Sequence, residues 1–176
     1  MLKSVMRNAN PDLDPLVNLC KDLKSHFGDK EIVIVEIGSY MGESSAIFAK
    51  NLPNAKVFCI DPWENNYDPN DCASSSDMSD VEKQFDLRKE MYPNMTKLKG
   101  YSTDFGFPFD FIYIDGCHLY KCVNDDIIHW KPFVKEGGII GGHDYHPYWK
   151  GTVQAVQENL GNPDKVYEDF SWIKKM

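Results

Sequence analysis

The chemistry of this chain is concentrated in two stretches, FDFIYIDGCHLY at 109–120 and EGGIIGGHDY at 136–145. Each holds an apolar run leading into a carboxylate: Phe109 to Ile114 precedes Asp115, and Gly138 to Ile140 lies just before Asp144. His118 stands three residues beyond Asp115, and His143 directly precedes Asp144. Two carboxylates at adjacent strand ends can share a hard divalent cation whose remaining positions take water or substrate oxygens. Such an ion orients a hydroxyl and lowers its pKa, and a neutral imidazole accepts a proton near pH 7. On this basis His118 and Asp115 are the candidate catalytic residues, and Asp115, His143 and Asp144 the candidate metal ligands. His143 has a second reading, as a hydrogen-bond partner of Asp144 from outside the coordination sphere. Imidazole suits Mn, Fe or Zn better than Mg, so the residue types leave the ion open. Alone, Asp115-Gly116 would read more simply as a helix cap and His118 as a surface residue. The Gly-Gly-His-Asp sequence further on reverses that preference.

A second constellation, VEIGSYMGESS at 35–45, has the form of a strand that turns into a helix. Gly38 and Gly42 bracket the turn, where a cofactor needs close backbone approach at a helix N-terminus. Gly38, Ser39, Tyr40, Gly42 and Ser44 are therefore candidate cofactor-binding residues. The spacing is E-x-G-x-x-x-G, not the G-x-G-x-x-G of dinucleotide binders. Glu36, inside an apolar strand, is costly unless it meets a cation or donors. The ammonium of S-adenosylmethionine would suit it, and a pyrophosphate would be repelled. Asp61, after the second strand, is placed to accept hydrogen bonds from ribose hydroxyls. Trp63 could cover an adenine face or, equally, cap the core. Ser102 ends a third strand where an adenine edge would lie.

The elements that must position these groups follow from periodicity. Residues 11–27 carry Leu13, Leu16, Leu19, Cys20 and Leu23 at helical spacing, with Asp12 as expected N-cap and Gly28 as stop. IVIVEIG at 32–38 is a β-branched run of the kind buried on both faces. Further strands are expected at 56–60, 97–100, 109–114 and 138–140, and one or two short ones within 165–175. Helices are expected at 44–51, 81–91, 123–133 and 152–160. Residues 64–80 are polar and turn-rich, and a loop of this length reads as a lid or substrate-binding segment. Asp125 and Asp126 fall early in a helix, where charge suits the dipole, and receive no chemistry.

At 176 residues the chain is expected to be a single domain, 1–176. Its net charge of −8 disfavours nucleic acid and anionic membrane as partners. No apolar leader or membrane-length run is present in the sequence. The five cysteines lack CxxC spacing, which argues for reduced thiols and a cytoplasmic setting. Cys117 and Cys122 are expected to be small buried hydrophobes.

Together these residues resemble a class I S-adenosylmethionine (SAM)-dependent methyltransferase. VEIGSYMGESS resembles the first motif of catechol O-methyltransferase and its relatives. The stretch from Phe109 to Tyr145 resembles the family that includes macrocin O-methyltransferase, and the likeness covers most of residues 30–160. The resemblance implies an α/β, Rossmann-like, doubly wound, mostly parallel sheet with helices on both faces and an antiparallel closing strand. It places SAM across the carboxyl edge, Asp115 as first metal ligand and cofactor contact, and His118 as base where the catechol branch has Lys. His143-Asp144 matches the second ligand pair, with His as a departure from the acidic residue found elsewhere. The expected activity is methyl transfer from SAM to a hydroxyl of a small molecule or sugar, with Mg or Mn as candidate metal. A short chain leaves the acceptor side to the 64–80 loop or to a second subunit of a homodimer. Two other readings are weighed. An NAD-dependent oxidoreductase is disfavoured by the glycine spacing and Glu36, and a non-catalytic scaffold by the clustered acids.

Overall fold

The computed structural model describes residues 3, 7, 8 and 10–176. Ile32–Ile37 forms β1, and its apolar run, interrupted only by Glu36, is accounted for by helices on both faces. β2 (Ala55–Asp61), β3 (Met95–Lys99), β4 (Phe109–Ile114) and β5 (Val134–Gly142) run parallel to it. β6 (Lys165–Val166) and β7 (Trp172–Lys175) close the sheet in antiparallel pairing. Among the described residues the order is β3-β2-β1-β4-β5-β7-β6. The order reverses between β1 and β4, and that switch point is where open α/β sheets hold ligands.

Side-chain parity divides the core into two layers. Ile32 and Ile34 pack with α1 (Leu16–Phe27), α2 (Glu43–Asn51) and α3 (Met78–Lys89). Val35 and Ile37 pack with α4 (Tyr120–Trp130) and α5 (Lys150–Leu160) on the other face. Glu36 shares the parity of Ile34 and so points beneath α2, where Ser45 meets it. No helix among the described residues is long and apolar enough to cross a membrane.

The boundaries differ from expectation where local chemistry intervenes. Asp12 is not the cap of the first helix: Asn10 caps a 3-10 turn at Pro11–Leu13, and Asp14 accepts the Leu16 amide. Gly28, at φ 66°, ends α1 as expected. Asp77 caps α3, which starts ahead of the expected Val81. β5 begins at Val134 because a register shift against β4 between Phe109 and Phe111 absorbs the intervening polar residues.

One close approach fixes the sheet edge. Gly38 follows β1 at φ 82°, and a Cβ there would lie 2.3 Å from the Asp115 carbonyl oxygen and 2.5 Å from Gly116 Cα. Only a residue without a side chain lets the turns after β1 and β4 touch. Gly137 also has positive φ, but a Cβ there would meet nothing within 4 Å. Gly137→Ala therefore carries dihedral strain alone, about 1–3 kcal/mol. Gly38→Ala adds a backbone overlap and is expected to cost clearly more in urea unfolding. Equal losses in the two variants would contradict the close-approach argument.

Candidate active site

The turn after β1 is built around Asp61. Its Oδ2 accepts the Tyr40 amide at 2.8 Å and its Oδ1 the Trp63 amide at 2.6 Å. Burial pushes this carboxyl up from its ordinary value, and those two amides pull it back. Asp61 thus holds the glycine turn while its remaining lone pairs face a cavity of about 480 Å³. Gly38, Tyr40, Tyr101, Ser102 and Asp115 line that cavity too. Trp63 does not: it is buried against Phe85, and its indole N–H donates to the Tyr40 carbonyl. Of the two roles expected of Trp63, over an adenine or capping the core, it takes the core one.

Glu36 meets a donor on one oxygen only, its Oε1 being left with no partner among the described residues. It is fully buried, receives the Ser45 hydroxyl on Oε2, and lines neither of the cavities at the edge. Burial pushes it up to about 7, against the opposing pull of the Ser44 and Ser45 hydroxyls. Asp126, read as a helix-dipole residue, does line the cavity and accepts the Ser102 hydroxyl. Burial raises it to about 6.

A second, smaller cavity of about 150 Å³ adjoins the first, and both are lined by Gly38, Tyr40, Asp115 and Gly116. Its walls include Ser39, Met41 and Ser44 from the glycine turn, and the acid–imidazole cluster. Asp144, at φ 60°, presents Oδ2 to His118 Nε2 at 2.8 Å and to His143 Nδ1 at 3.1 Å. His143 Nδ1 is 3.6 Å from Asp115. Candidate donor atoms of Asp115, His118 and Asp144 lie within 4.8 Å of one another, which fits a divalent cation. The compact set thus takes in His118, the expected base, with the expected ligand His143 alongside.

The two carboxylates differ in state. Asp144 overcomes its burial through the bonds from His118 and His143 and is held well below the usual range. Asp115 has only more distant cations, His143 and Arg7, and burial raises it. Burial opposes a charge on His118, but the Asp144 bond outweighs it and lifts the imidazole to about 9. The neutral His118 expected near pH 7 is therefore replaced by a protonated one in this arrangement. His143 is raised as well, against its burial, by Asp115 and Asp144.

Four groups at the site carry no role in the sequence pattern. Arg7 donates to Asp169 at 2.7 Å and to the Tyr113 hydroxyl at 3.0 Å, and stands 3.8 Å from Asp115. Asp68 meets His118 from the 64–80 loop, whose Tyr67, Asp71 and Ala73 line the smaller cavity. Trp149 stacks on the His118 ring, centroids 4.1 Å apart. Cys117 and Cys122 form a disulfide, Cα atoms 5.9 Å apart, and both are half-buried. This corrects the expectation of buried, unpaired thiols; the fold-back from β4 into α4 creates a proximity that the sequence spacing does not announce. Cys20, Cys59 and Cys72 are free.

Residues 35–145 match the profile of a family described as a methyltransferase domain. An uncharacterized protein of Acanthamoeba polyphaga mimivirus is 26% identical over 151 residues. That match covers 81% of this chain but only 65% of the viral protein. Among solved structures, CalS11, a TDP-rhamnose 3'-O-methyltransferase of calicheamicin biosynthesis, superposes with a TM-score of 0.62 at 14% identity. It covers 90% of this chain and 77% of its own. TomG from Streptomyces achromogenes, an O-methyltransferase solved with SAM, gives 0.61 at 15% identity, covering 92% and 80%. At these identities the likeness establishes the fold.

Glu36 sets a pH dependence whose sign is fixed. Its folded-state pKa, about 7, lies above the ordinary 4.5, so its contribution is present below pH 4.5 and lost as pH rises through 7. The size is on the order of 3 kcal/mol. Glu36→Gln is expected to gain on the parent in urea unfolding at pH 8 but not at pH 5. An equal difference at both pH values would remove the buried-acid account.

Proposed function

This chain belongs to the methyltransferase-domain family, and we propose that it transfers a methyl group from SAM to a hydroxyl of a small molecule or sugar. The observation that carries this reading is Asp115 at the junction of two cavities. One has a ribose-type acid and a hydroxyl, the other has acids and imidazoles.

The chain's polar groups fit SAM. Asp61 and Ser102 would take the nucleoside in the larger cavity. The Ser39 hydroxyl is buried with no partner and lines the smaller cavity, where an amino-acid moiety would satisfy it. Arg7, on the same wall, supplies positive charge for a carboxylate. When bound, SAM supplies a methyl activated by its sulfonium.

The acid–imidazole set also fits Mg or Mn, held by Asp115 and Asp144 with His118 or His143 beside them. Such an ion would hold an oxygen and lower its pKa. The protein's own groups orient the acceptor and manage its proton. Asp144 keeps both imidazoles in place, and Trp149 covers one face of the His118 ring. His118 must first release the proton it shares with Asp144 at Nε2, after which that nitrogen can take the proton of the acceptor hydroxyl. Holding the acceptor oxygen in line with the methyl supplies much of the rate. A hydroxyl acceptor suits the cluster because carboxylates and imidazoles can orient an oxygen and take its proton.

Calorimetric titration with S-adenosylhomocysteine and with NAD tests the cofactor. Binding of the former alone supports the reading, and binding of NAD alone overturns it. Asp61→Ala should weaken S-adenosylhomocysteine by at least about tenfold, the worth of a charged hydrogen bond. His118→Ala should leave it unchanged. In the same format, replacing Asp115 and Asp144 together by Ala should abolish Mn2+ binding; unchanged affinity would place the ion elsewhere.

A further inference from the structure

The 64–80 loop sends one side chain into the acid–imidazole cluster. Asp68 is 1% exposed, although a carboxylate is among the costliest groups to bury. Its Oδ2 accepts the His118 backbone amide at 2.9 Å and lies 3.2 Å from His118 Nδ1. Its Oδ1 accepts the Asn70 amide, and its own amide donates to the Ser74 hydroxyl. One oxygen therefore shapes the loop and the other grips His118 twice.

We propose that Asp68 is the positioning residue for His118 and the latch that joins the loop to the site. An ionised carboxylate only accepts, so the bond fixes a proton on Nδ1. The ring is then held with Nε2 towards Asp144, 2.8 Å away. Trp149 stacks on the face of the ring, so rotation is blocked sterically as well as by hydrogen bonds. A histidine that works at one nitrogen is oriented in this way by a carboxylate at the other. Because that carboxylate belongs to the loop, the ring is set for proton transfer only when the loop is closed over the smaller cavity. The inference rests on the methyl-transfer reading only in treating His118 as the proton-handling group; the latch itself rests on geometry.

The test uses the full chain with 15N-labelled histidine, in the parent, Asp68→Ala and Asp68→Asn. In the parent the His118 Nδ1 proton gives a protected, downfield signal, and the His118 backbone amide exchanges slowly. Asp68→Ala is expected to lose that signal and to speed exchange of the His118 amide at least about tenfold, as local opening does. Asp68→Asn keeps a carbonyl oxygen able to accept both protons and is expected to retain the signal. A protected Nδ1 proton in Asp68→Ala would overturn the proposal, as would its loss in a folded Asp68→Asn. Failure of the parent to bind S-adenosylhomocysteine would count against the cofactor reading alone, because the ring signal is read without ligand.

Discussion

The contact between Gly38 and the Asp115–Gly116 backbone is the constraint on which the site depends. It makes the ends of β1 and β4 a single surface, so the glycine turn and the first acid share one edge. Parallel pairing of β4 with β5 then brings Asp144 beside Asp115. The Asp115 amide donates to the Ile37 carbonyl, and the His143 amide to the Ile114 carbonyl, so the sheet's own hydrogen bonds continue into the site. Strand ends are rigid, which is why the chemistry-bearing side chains follow them directly.

Charge balance is the second constraint. Asp14, Asp68, Asp115, Asp144 and Asp169 converge where Arg7, His118 and His143 supply the positive charge. Unpaired, such acids would strongly destabilise the fold. Pairing them with imidazoles rather than with more guanidinium groups leaves cations that can release a proton. Arg7 bridges Asp14, Tyr113 and Asp169, tying the start of the chain to β4 and to the turn before β7. The same guanidinium lies against Asp115, so the fold's anchor also sets the charge at the cavity junction.

The parallel sheet is legible in the sequence because β1 and β4 are apolar runs with one acid each, Glu36 and Asp110, and each leads into a turn with glycine. Asp115, His118, His143 and Asp144 are marked there too, since their convergence follows from strand adjacency alone. Glu36 is legible as a buried acid, but the donor that meets it comes from α2 and has no signal within the strand. Trp63 is ambiguous because an aromatic after a strand end suits either a ligand face or the core. Asp68 and Arg7 are invisible: each lies in irregular chain, and each owes its role to a long-range contact with no periodic signal. The cysteine pair escapes notice because a helical first turn, not a short motif, brings Cys122 back to Cys117.

The central claim is that one ligand occupies the carboxyl edge at the β1–β4 junction. Backbone amide shifts of the 15N-labelled protein on titration with S-adenosylhomocysteine test it most directly. The account predicts shifts at Gly38 to Gly42, Asp61, Ser102 and Gly116, with the opposite end of the sheet around Gly28 and Asn54 unmoved. Saturable shifts confined to that opposite end, or no saturable shifts, would contradict it.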